Sequence, residues 1–345
     1  MIKTYQNRLA ELKSRHSKRS FVADPQYLNA FTFFSANLSH FMPTIPYENY
    51  QDIFKGAMLN RSWSGLDQQF FQVENPFTVH GWDADFAEQL KEKPGIICTF
   101  HTGSYRLINY LLHLSGVPLA LLIGQYAHDN QREVFADLVG KAGQNTAAPA
   151  FSILNATDPK VLFKIKQRLQ EGTSVLTYID GYQGTHSLDS RNSLKVHFLA
   201  QHQLVKKGLP YIAYKFNVPI YPVICFREAD DSLRLIRLEP IEKKEMDIAL
   251  FAEYAVNKIY SAFAAFLQHY PAQWENWTTL HLSTNRHDLF AAKMRGASAY
   301  PTKPNQIQHG LLAIRQDYFL LDKFSYRASP ISKHAFRNLY KEWYP

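Results

Sequence analysis

The chain has 345 residues, of which 46% are hydrophobic and 20% are charged. This length suits one large domain, alone or with a small appendage, and the composition is typical of a globular protein rather than a disordered one. The net charge of +8 is compatible with an ordinary solvated surface, or with contact with nucleic acid, an anionic lipid surface or an acidic protein. The Lys and Arg residues form no block and no nucleic-acid-binding motif occurs, so we predict no nucleic-acid partner.

Residues 1–90 are predicted to be helical, and from residue 94 onward short apolar runs alternate with helical patterns. The predicted strands are GIICTF, VPLALLIG, TSVLTYID, VPIYPVICFRE and LRLIRLEPI, the last with the alternation of a sheet edge. The predicted helices are RLINYLLHLSG, REVFADLVGKAG, VLFKIKQRLQEG, HQLVKKGLPYIAYKFN and MDIALFAEYAVNKIYSAFAAFLQHY. This alternation predicts an α/β fold with a mainly parallel central sheet flanked by helices.

The C-terminal region differs in pattern from the rest. We expect an α/β domain over residues 1–290, a linker over 291–310, and a small β-hairpin and helix extension over 311–345. Two short strands are predicted around a turn at Asp322 and Lys323. Ser329 is the predicted N-cap of the last helix, with Pro330 at its first position.

His101 follows the first buried strand and precedes a helix, in Phe100-His101-Thr102-Gly103-Ser104. Functional side chains of parallel sheets gather at the carboxyl ends of strands. A histidine there can act as a general base, while the N–H groups near Gly103 and Ser104 can stabilise an oxyanion. Alternatively, His101 caps the turn, and Ser104 is an ordinary first-turn residue rather than a nucleophile.

Asp180 ends the third strand and is followed by Gly181. In a parallel sheet its carboxylate can face the same crevice as His101. The alternative is a turn-forming aspartate before glycine, which is a common pattern.

The remaining chemistry-bearing residues exclude several classes of site. Cys98 and Cys225 lie in apolar strand-like runs, which predicts buried free thiols in a reducing compartment. No apolar run approaches the ~18 residues of a membrane span, and the N-terminus lacks an apolar signal core. We therefore expect a cytoplasmic protein. No metal-type Cys/His array and no nucleotide-binding glycine loop occurs, so we expect no metal and no cofactor.

Four segments, in order, resemble the bacterial lipid A lauroyl and myristoyl acyltransferases, part of the lysophospholipid and glycerol-phosphate acyltransferase group. They are GIICTFHTGSYRL, EGTSVLTYIDGYQGTHSLDSRNSLKVHFL, GLPYIAYKFNVPIYPVICFRE and YPAQWENWTTLH. The last is similar to a signature formed here by Pro271, Gln273, Trp274 and Trp277. The resemblance spans roughly residues 94–282 and implies a glycerolipid-acyltransferase-like fold.

The resemblance implies transfer of an acyl group from an acyl-carrier-protein or CoA thioester directly to an acceptor. His101 would be the base, and an acid five positions later would orient it. Here that position holds Arg106, so Asp180 becomes the candidate substitute, and Arg106 is expected to lower the pKa of His101. Arg106 can bind a phosphate or carboxylate instead, or simply face outward.

The expected substrate-binding residues are Gly103, Ser104, Tyr105, Arg106, Tyr182 and Arg227. We expect no counterpart of the family's N-terminal membrane anchor, so the expected acceptor is a lipid reached by peripheral membrane contact, a peptide, or a small amine or alcohol. Lipid and natural-product biosynthesis are both compatible with this chemistry, and the many Phe and Tyr residues can line an acyl-chain tunnel. The alternative hypothesis is an inactive protein of this fold that binds an acyl chain, a peptide or a carrier protein.

The tail QDYFLLDKFSYRASPISKHAFRNLY resembles the strand–turn–strand–helix part of the small peptide-binding protein of the pyrroloquinoline quinone pathway. That resemblance implies that the extension presents a leader peptide. The alternative is a hairpin and helix that only pack on the main domain.

Overall fold

The computed structural model describes residues 4–21, 24–71, 78–131, 150–181, 191–284 and 303–344. The helix predicted over 132–143, the site residue Tyr182 and most of the predicted linker lie outside these ranges. The α-helices, numbered α1 to α10, are Tyr5–Ser17, Pro25–Phe41, Tyr50–Phe70, Ala84–Glu92, Leu107–Leu114, Gln125–Gln131, Val161–Gln170, Gly208–Phe216, Ile248–His269 and Lys333–Trp343. Within the described ranges, no helix has both the length and the apolar character needed to cross a bilayer.

The strands, numbered β1 to β12, are Val79–His80, Ile96–Thr99, Leu119–Ile123, Phe151–Asn155, Ser174–Tyr178, Ser193–Phe198, Gln201–Lys206, Ile220–Arg227, Leu233–Arg237, His309–Ile314, Asp317–Asp322 and Arg327–Pro330. Seven of them form the central sheet in the order β1-β9-β8-β2-β5-β3-β4. Strands β8, β2, β5, β3 and β4 are mutually parallel, while β9 runs antiparallel to β8. The predicted α/β fold with a mainly parallel sheet flanked by helices is confirmed.

Side chains of strand β2 alternate between two apolar cores, as the pleat of a strand requires. Ile97 faces the core packed by α4 and α5, while Ile96 and Cys98 face the core packed by α2, α3 and α9. Because both faces are covered, strand β2 is buried along its whole length. The residues just beyond β2 are therefore held by a rigid scaffold.

Side chains cap the starts of several helices. The Asp24 side chain accepts the Tyr27 N–H at 3.0 Å, with Pro25 at the first helical position of α2. The predicted cap at Ser329 is wrong, since Ser329 pairs with Leu320 as part of β12. Ser332 caps α10 instead, its side chain accepting the Ala335 N–H.

Two other predicted elements differ in the structure. The helix predicted over 202–217 is strand β7 followed by α8, because the first half pairs antiparallel with β6 in a hairpin. The C-terminal region has three strands rather than two, since β10, β11 and β12 form an antiparallel sheet. The predicted edge strand β9 carries one further partner, the two-residue β1.

The C-terminal sheet packs on helix α2. The Asn29 side chain donates to the Ala313 carbonyl and accepts the Ala313 N–H, both at 2.8 Å, and the Thr32 hydroxyl donates to the Leu311 carbonyl at 2.7 Å. Phe336 and Trp343 of α10 belong to the same apolar core as α2 and α9. The extension is thus joined to the core of the α/β domain.

Candidate active site

His101 and Asp180 stand side by side because strands β2 and β5 are neighbours in register. Thr99 pairs with Tyr178, and each site residue lies two positions beyond its member of that pair. The ladder continues past the strands, since the Ile179 N–H donates to the Thr99 carbonyl at 2.9 Å. The two side chains therefore project from the same edge of the sheet.

The His101 ring is hydrogen-bonded to the Asp180 carboxylate. The Nδ1 to Oδ1 distance is 2.8 Å, and the backbone N–H of His101 donates to Oδ2 at 3.1 Å. An ionised carboxylate can only accept, so Nδ1 carries the proton and Nε2 presents its lone pair. The His101 side chain is 23% exposed and lines a cavity of about 380 Å³, whereas the Asp180 side chain is 2% exposed.

Two residues of the segment after α9 complete the shell around Asp180. The Trp274 indole Nε1 and the Asn276 amide donate to its Oδ2 at 2.8 and 2.9 Å. The segment is held against the His101 turn, because Thr102 and Trp274 form an antiparallel bridge. Trp274 was quoted in the sequence signature, but its role as a donor to Asp180 depends on this tertiary contact.

Burial and charge act in opposite directions on this pair. Burial alone would lower the pKa of His101, but the charge and hydrogen bond of Asp180, with the charge of Glu275, outweigh it, so the pKa of His101 is raised. Burial opposes ionisation of Asp180, yet the charge of His101 and the donors around it lower its pKa. Arg106 does lower the pKa of His101, as expected, but its contribution is smaller than those of Asp180 and Glu275, so the net shift is upward.

Arg106 lies in the wall of the same cavity rather than facing outward. Its guanidinium donates to the Ser64 hydroxyl at 3.0 Å and lies 3.7 Å from Oε1 of Glu275. Its side chain is 18% exposed, and it packs 4.5 Å from the centre of the Tyr105 ring. Arg106 therefore forms an ion pair at the position where the family resemblance expects an acid.

Glu275 is a cavity residue that the sequence reading did not single out. Its side chain is 8% exposed, and Arg106 and Arg61 lie 3.7 and 3.8 Å from its carboxylate oxygens. Burial raises the pKa of Glu275, and the neighbouring charges of Arg106, His101 and Arg61 offset this only in part. Its place directly after Trp274 in the signature was the one available sequence signal.

The backbone N–H groups of Gly103 and Ser104, which the sequence predicted as oxyanion donors, donate to other parts of the protein. The Gly103 N–H donates to the Gln273 carbonyl at 3.3 Å, and the Ser104 N–H donates to the Cys225 sulfur. Gly103 has φ of +53°, and a Cβ there would lie 2.5 Å from the Phe226 Cα. The close approach that this glycine allows in the structure is therefore to strand β8.

Ser104 and Arg227 belong to a buried network beneath the cavity. The Ser104 hydroxyl donates to the Asp67 carboxylate, which also forms an ion pair with the Arg227 guanidinium. Tyr5 donates to the other Asp67 oxygen at 2.6 Å. Ser104 and Asp67 have no solvent exposure and the Arg227 side chain is 6% exposed, so neither Ser104 nor Arg227 reaches the cavity.

Tyr105 does line the cavity, together with Tyr178. The Tyr105 and Tyr178 rings lie 4.9 and 4.6 Å from the His101 ring. Burial raises the pKa of Tyr178 to about 12 and holds that of Tyr105 well above its usual value, so both keep their hydroxyl protons at neutral pH. The Asn109 amide donates to the Tyr178 oxygen at 3.5 Å, which leaves that hydroxyl proton able to donate.

A mostly aliphatic groove of about 570 Å³ adjoins the cavity. It runs between α7 and α8, and the two spaces share the lining residues Leu122, Ala156, Thr177, Tyr178 and Gly181. Three lysines also line it: Lys206, Lys207 and Lys215. Most of the described Phe side chains are packed in the core instead, and ten aliphatic residues but only three aromatic ones line this groove.

Among the described residues, no group of three or more His, Cys, Asp or Glu side chains could hold a metal ion. No protein-family model and no curated protein matches this chain. Among solved structures, the chain is similar to the 1-acyl-sn-glycerophosphate (LPA) acyltransferase PlsC from Thermotoga maritima, with 12% identity and a TM-score of 0.36. That match covers 72% of this chain and 98% of the other. Similarity at this level does not identify an activity, so the chemistry has to follow from the side chains of this site.

Proposed function

We propose that this protein transfers an acyl group from an acyl-carrier-protein or CoA thioester to an amine or hydroxyl acceptor. The observation that carries the proposal is the His101 Nδ1 to Asp180 Oδ1 hydrogen bond of 2.8 Å. It turns Nε2 of His101 into a base that faces a cavity bordered by an apolar groove. The groove supports an acyl chain as the transferred group, because apolar burial is its main source of binding free energy.

In the proposed reaction, Nε2 of His101 removes a proton from the acceptor, whose nucleophile attacks the thioester carbonyl. The tetrahedral intermediate collapses with loss of the thiolate, which takes the proton back from His101. Asp180 holds the ring in the required tautomer and stabilises its protonated form. Because the Gly103 and Ser104 amides are engaged, the Arg106 guanidinium and the Tyr178 hydroxyl are the proposed oxyanion donors.

Positive charges near the groove support CoA or an acyl carrier protein as the acyl donor. Coenzyme A and the phosphopantetheine arm of a carrier protein both carry phosphate, and Lys206, Lys207 and Lys215 line the groove. A net charge of +8 also favours encounter with an acidic carrier protein. A cytoplasmic location and peripheral membrane contact remain parts of the same proposal.

The test is release of free thiol from acyl-CoA and acyl-carrier-protein donors of several chain lengths, with acceptors added. We expect His101→Ala to lower the acceptor-dependent rate by about 10²- to 10⁴-fold. His197→Ala is the matched control, because His197 is exposed on the β6–β7 hairpin. Full activity in His101→Ala would contradict the proposal.

A second candidate function is acyl binding without turnover. The internal engagement of the Gly103 and Ser104 amides favours it, since those were the expected oxyanion donors. Saturable binding of an acyl thioester with no His101-dependent thiol release would support this function over catalysis.

A further inference from the structure

Glu275 is the second buried carboxylate of the His101 cavity. Its backbone N–H donates to the His101 carbonyl at 3.0 Å, which fixes its segment beside the catalytic turn. Its side chain is 8% exposed and lines the same cavity as the His101 ring. The proposed acyl transfer to a hydroxyl assigns this carboxylate no role.

The Glu275 carboxylate lacks short hydrogen bonds. Oε1 has no hydrogen-bond partner among the described residues, and the nearest charge is Arg106 at 3.7 Å. Oε2 lies 3.5 Å from the Tyr105 hydroxyl and 3.8 Å from Nε of Arg61. Charge-assisted hydrogen bonds span about 2.7–2.9 Å and buried carboxylates normally have them. Because Oε1 is itself buried, a ligand donor in the cavity would reach the carboxylate at Oε2, whose contacts with Tyr105 and Arg61 are both 3.5 Å or longer.

We propose that Glu275 binds the ammonium group of an amine acceptor, so that acyl transfer in this cavity forms an amide. This inference rests on the proposed acyltransferase function and narrows its acceptor. An alkylamine has a pKa of about 10.4, like Lys, and arrives protonated. It must lose two protons to become an amide, whereas a hydroxyl loses one, so an amine uses both Glu275 and His101.

The steps balance in atoms and charge. The ammonium gives one proton to Glu275, and the freed amine attacks the thioester carbonyl to form the C–N bond. His101 takes the second proton from nitrogen as the C–S bond breaks, then gives it to the departing thiolate. Glu275 releases its proton to solvent. The products are an amide, a thiol and one proton.

The charges around Glu275 permit a cation to bind. Arg106 and Arg61 lie on its two sides, while Asp180 contributes a second negative charge beyond the His101 ring. The formal charges of the two guanidinium groups and the two carboxylates sum to zero. The 3.0 Å hydrogen bond of the Arg106 guanidinium goes to Ser64 rather than to Glu275, so the carboxylate keeps its capacity to accept.

The first test measures binding and needs no turnover. Hexylammonium, hexanol and hexanoate are titrated calorimetrically at pH 7.5 into the wild type and into Glu275→Gln. We expect the wild type to bind hexylammonium more tightly than hexanol. In Glu275→Gln, the ratio of the hexanol Kd to the hexylammonium Kd should fall by at least about tenfold. Glu171→Gln makes the same chemical change at an exposed carboxylate paired with Arg168, and it should leave the preference intact.

Several outcomes would overturn the inference. They are equal hexylammonium affinity in the wild type and Glu275→Gln, tighter wild-type binding of hexanol, or a hexanoate site formed by Arg61 and Arg106 that excludes the ammonium. If Glu275→Gln is unstable, Glu275→Asp is titrated in its place, and we expect weakened ammonium binding because its carboxylate is one methylene shorter.

The second test compares products. Hexylamine and hexanol are supplied with an acyl-CoA, and amide and ester are quantified by mass spectrometry. Ester without amide would refute the inference while the proposed acyltransferase function stood. If neither hexylamine nor hexanol supported thiol release, the proposed acyltransferase function would be contradicted. The binding measurement would still decide whether Glu275 receives an ammonium group.

Discussion

His101 and Asp180 lie 79 positions apart in sequence, the same offset that pairs Thr99 with Tyr178 across strands β2 and β5. The strand register therefore carries directly into the site. A shift of β5 by one residue would turn every side chain of that strand to its opposite face. The register of β2 and β5 thus fixes the positions of both residues of the His101 Nδ1 to Asp180 hydrogen bond.

Asp180→Asn should lower kcat for acyl transfer by about 10²- to 10⁴-fold, because the His101 ring loses the carboxylate that orients it and stabilises its charged form. The carboxamide is nearly isosteric, so the shell made by Trp274 and Asn276 need not collapse. The measurement is steady-state thiol release alongside a thermal unfolding curve. An unchanged kcat with an unchanged unfolding temperature would remove Asp180 from the catalytic unit.

The pH profile of kcat/KM should rise through an apparent pKa above the ~6.5 of free histidine. The direction follows because Asp180 and Glu275 raise the pKa of His101 despite its burial, and only the neutral ring acts as a base. In Asp180→Asn the ascending limb should move to lower pH.

The same shift affects stability. Protonated His101 stabilises the fold fully below its unfolded pKa, and this contribution disappears as pH rises through the higher folded value. Thermal unfolding of the wild type and His101→Gln across pH 5–9 measures it. A difference between the two proteins that grew with rising pH would contradict this sign.

Ile212→Trp should restrict the acyl chain, because Ile212 lines the aliphatic groove. Excluding about four methylenes at ~0.8 kcal/mol each costs about 3 kcal/mol, or on the order of a hundredfold in kcat/KM for long chains. Short-chain donors should be little affected. Leu114→Trp, at a side chain 72% exposed outside the groove, is the control. Equal losses for short and long chains would contradict a chain-binding role.

Asp67→Ala should destabilise the protein by about 3–5 kcal/mol, because it leaves the Arg227 guanidinium buried and unpaired. Glu242→Ala removes one partner of the exposed ion pair with Lys93 and should cost about 0–1 kcal/mol. Urea unfolding measures both. If Arg227 instead bound substrate, Asp67→Ala would change KM without a comparable loss of stability.

Gly310→Ala should weaken docking of the C-terminal sheet, since its Cβ would lie 2.5 Å from Cγ2 of Thr32. Thr32→Ser removes that methyl but keeps the hydroxyl that donates to the Leu311 carbonyl. The double variant should recover stability relative to Gly310→Ala, which a double-mutant cycle quantifies. Strictly additive losses would show that this contact does not limit docking.

The sequence alone determined the local features of this protein. Alternating strand and helix patterns predicted the α/β fold, and the placement of His101 after a buried run predicted its strand-end position. These features depend on side-chain periodicity and turn chemistry within a few residues. Asp180 could be proposed as a partner of His101 only because parallel strands share one functional edge.

Only the tertiary structure decided which side chains meet at the site. The strand order places β5 beside β2, and the bridge from Thr102 to Trp274 brings Glu275 into the cavity. The tertiary structure also turns Ser104 and Arg227 toward Asp67 and away from the cavity that His101 lines. These neighbours are distant in sequence, and packing of the whole core selects them, so no local pattern encodes them.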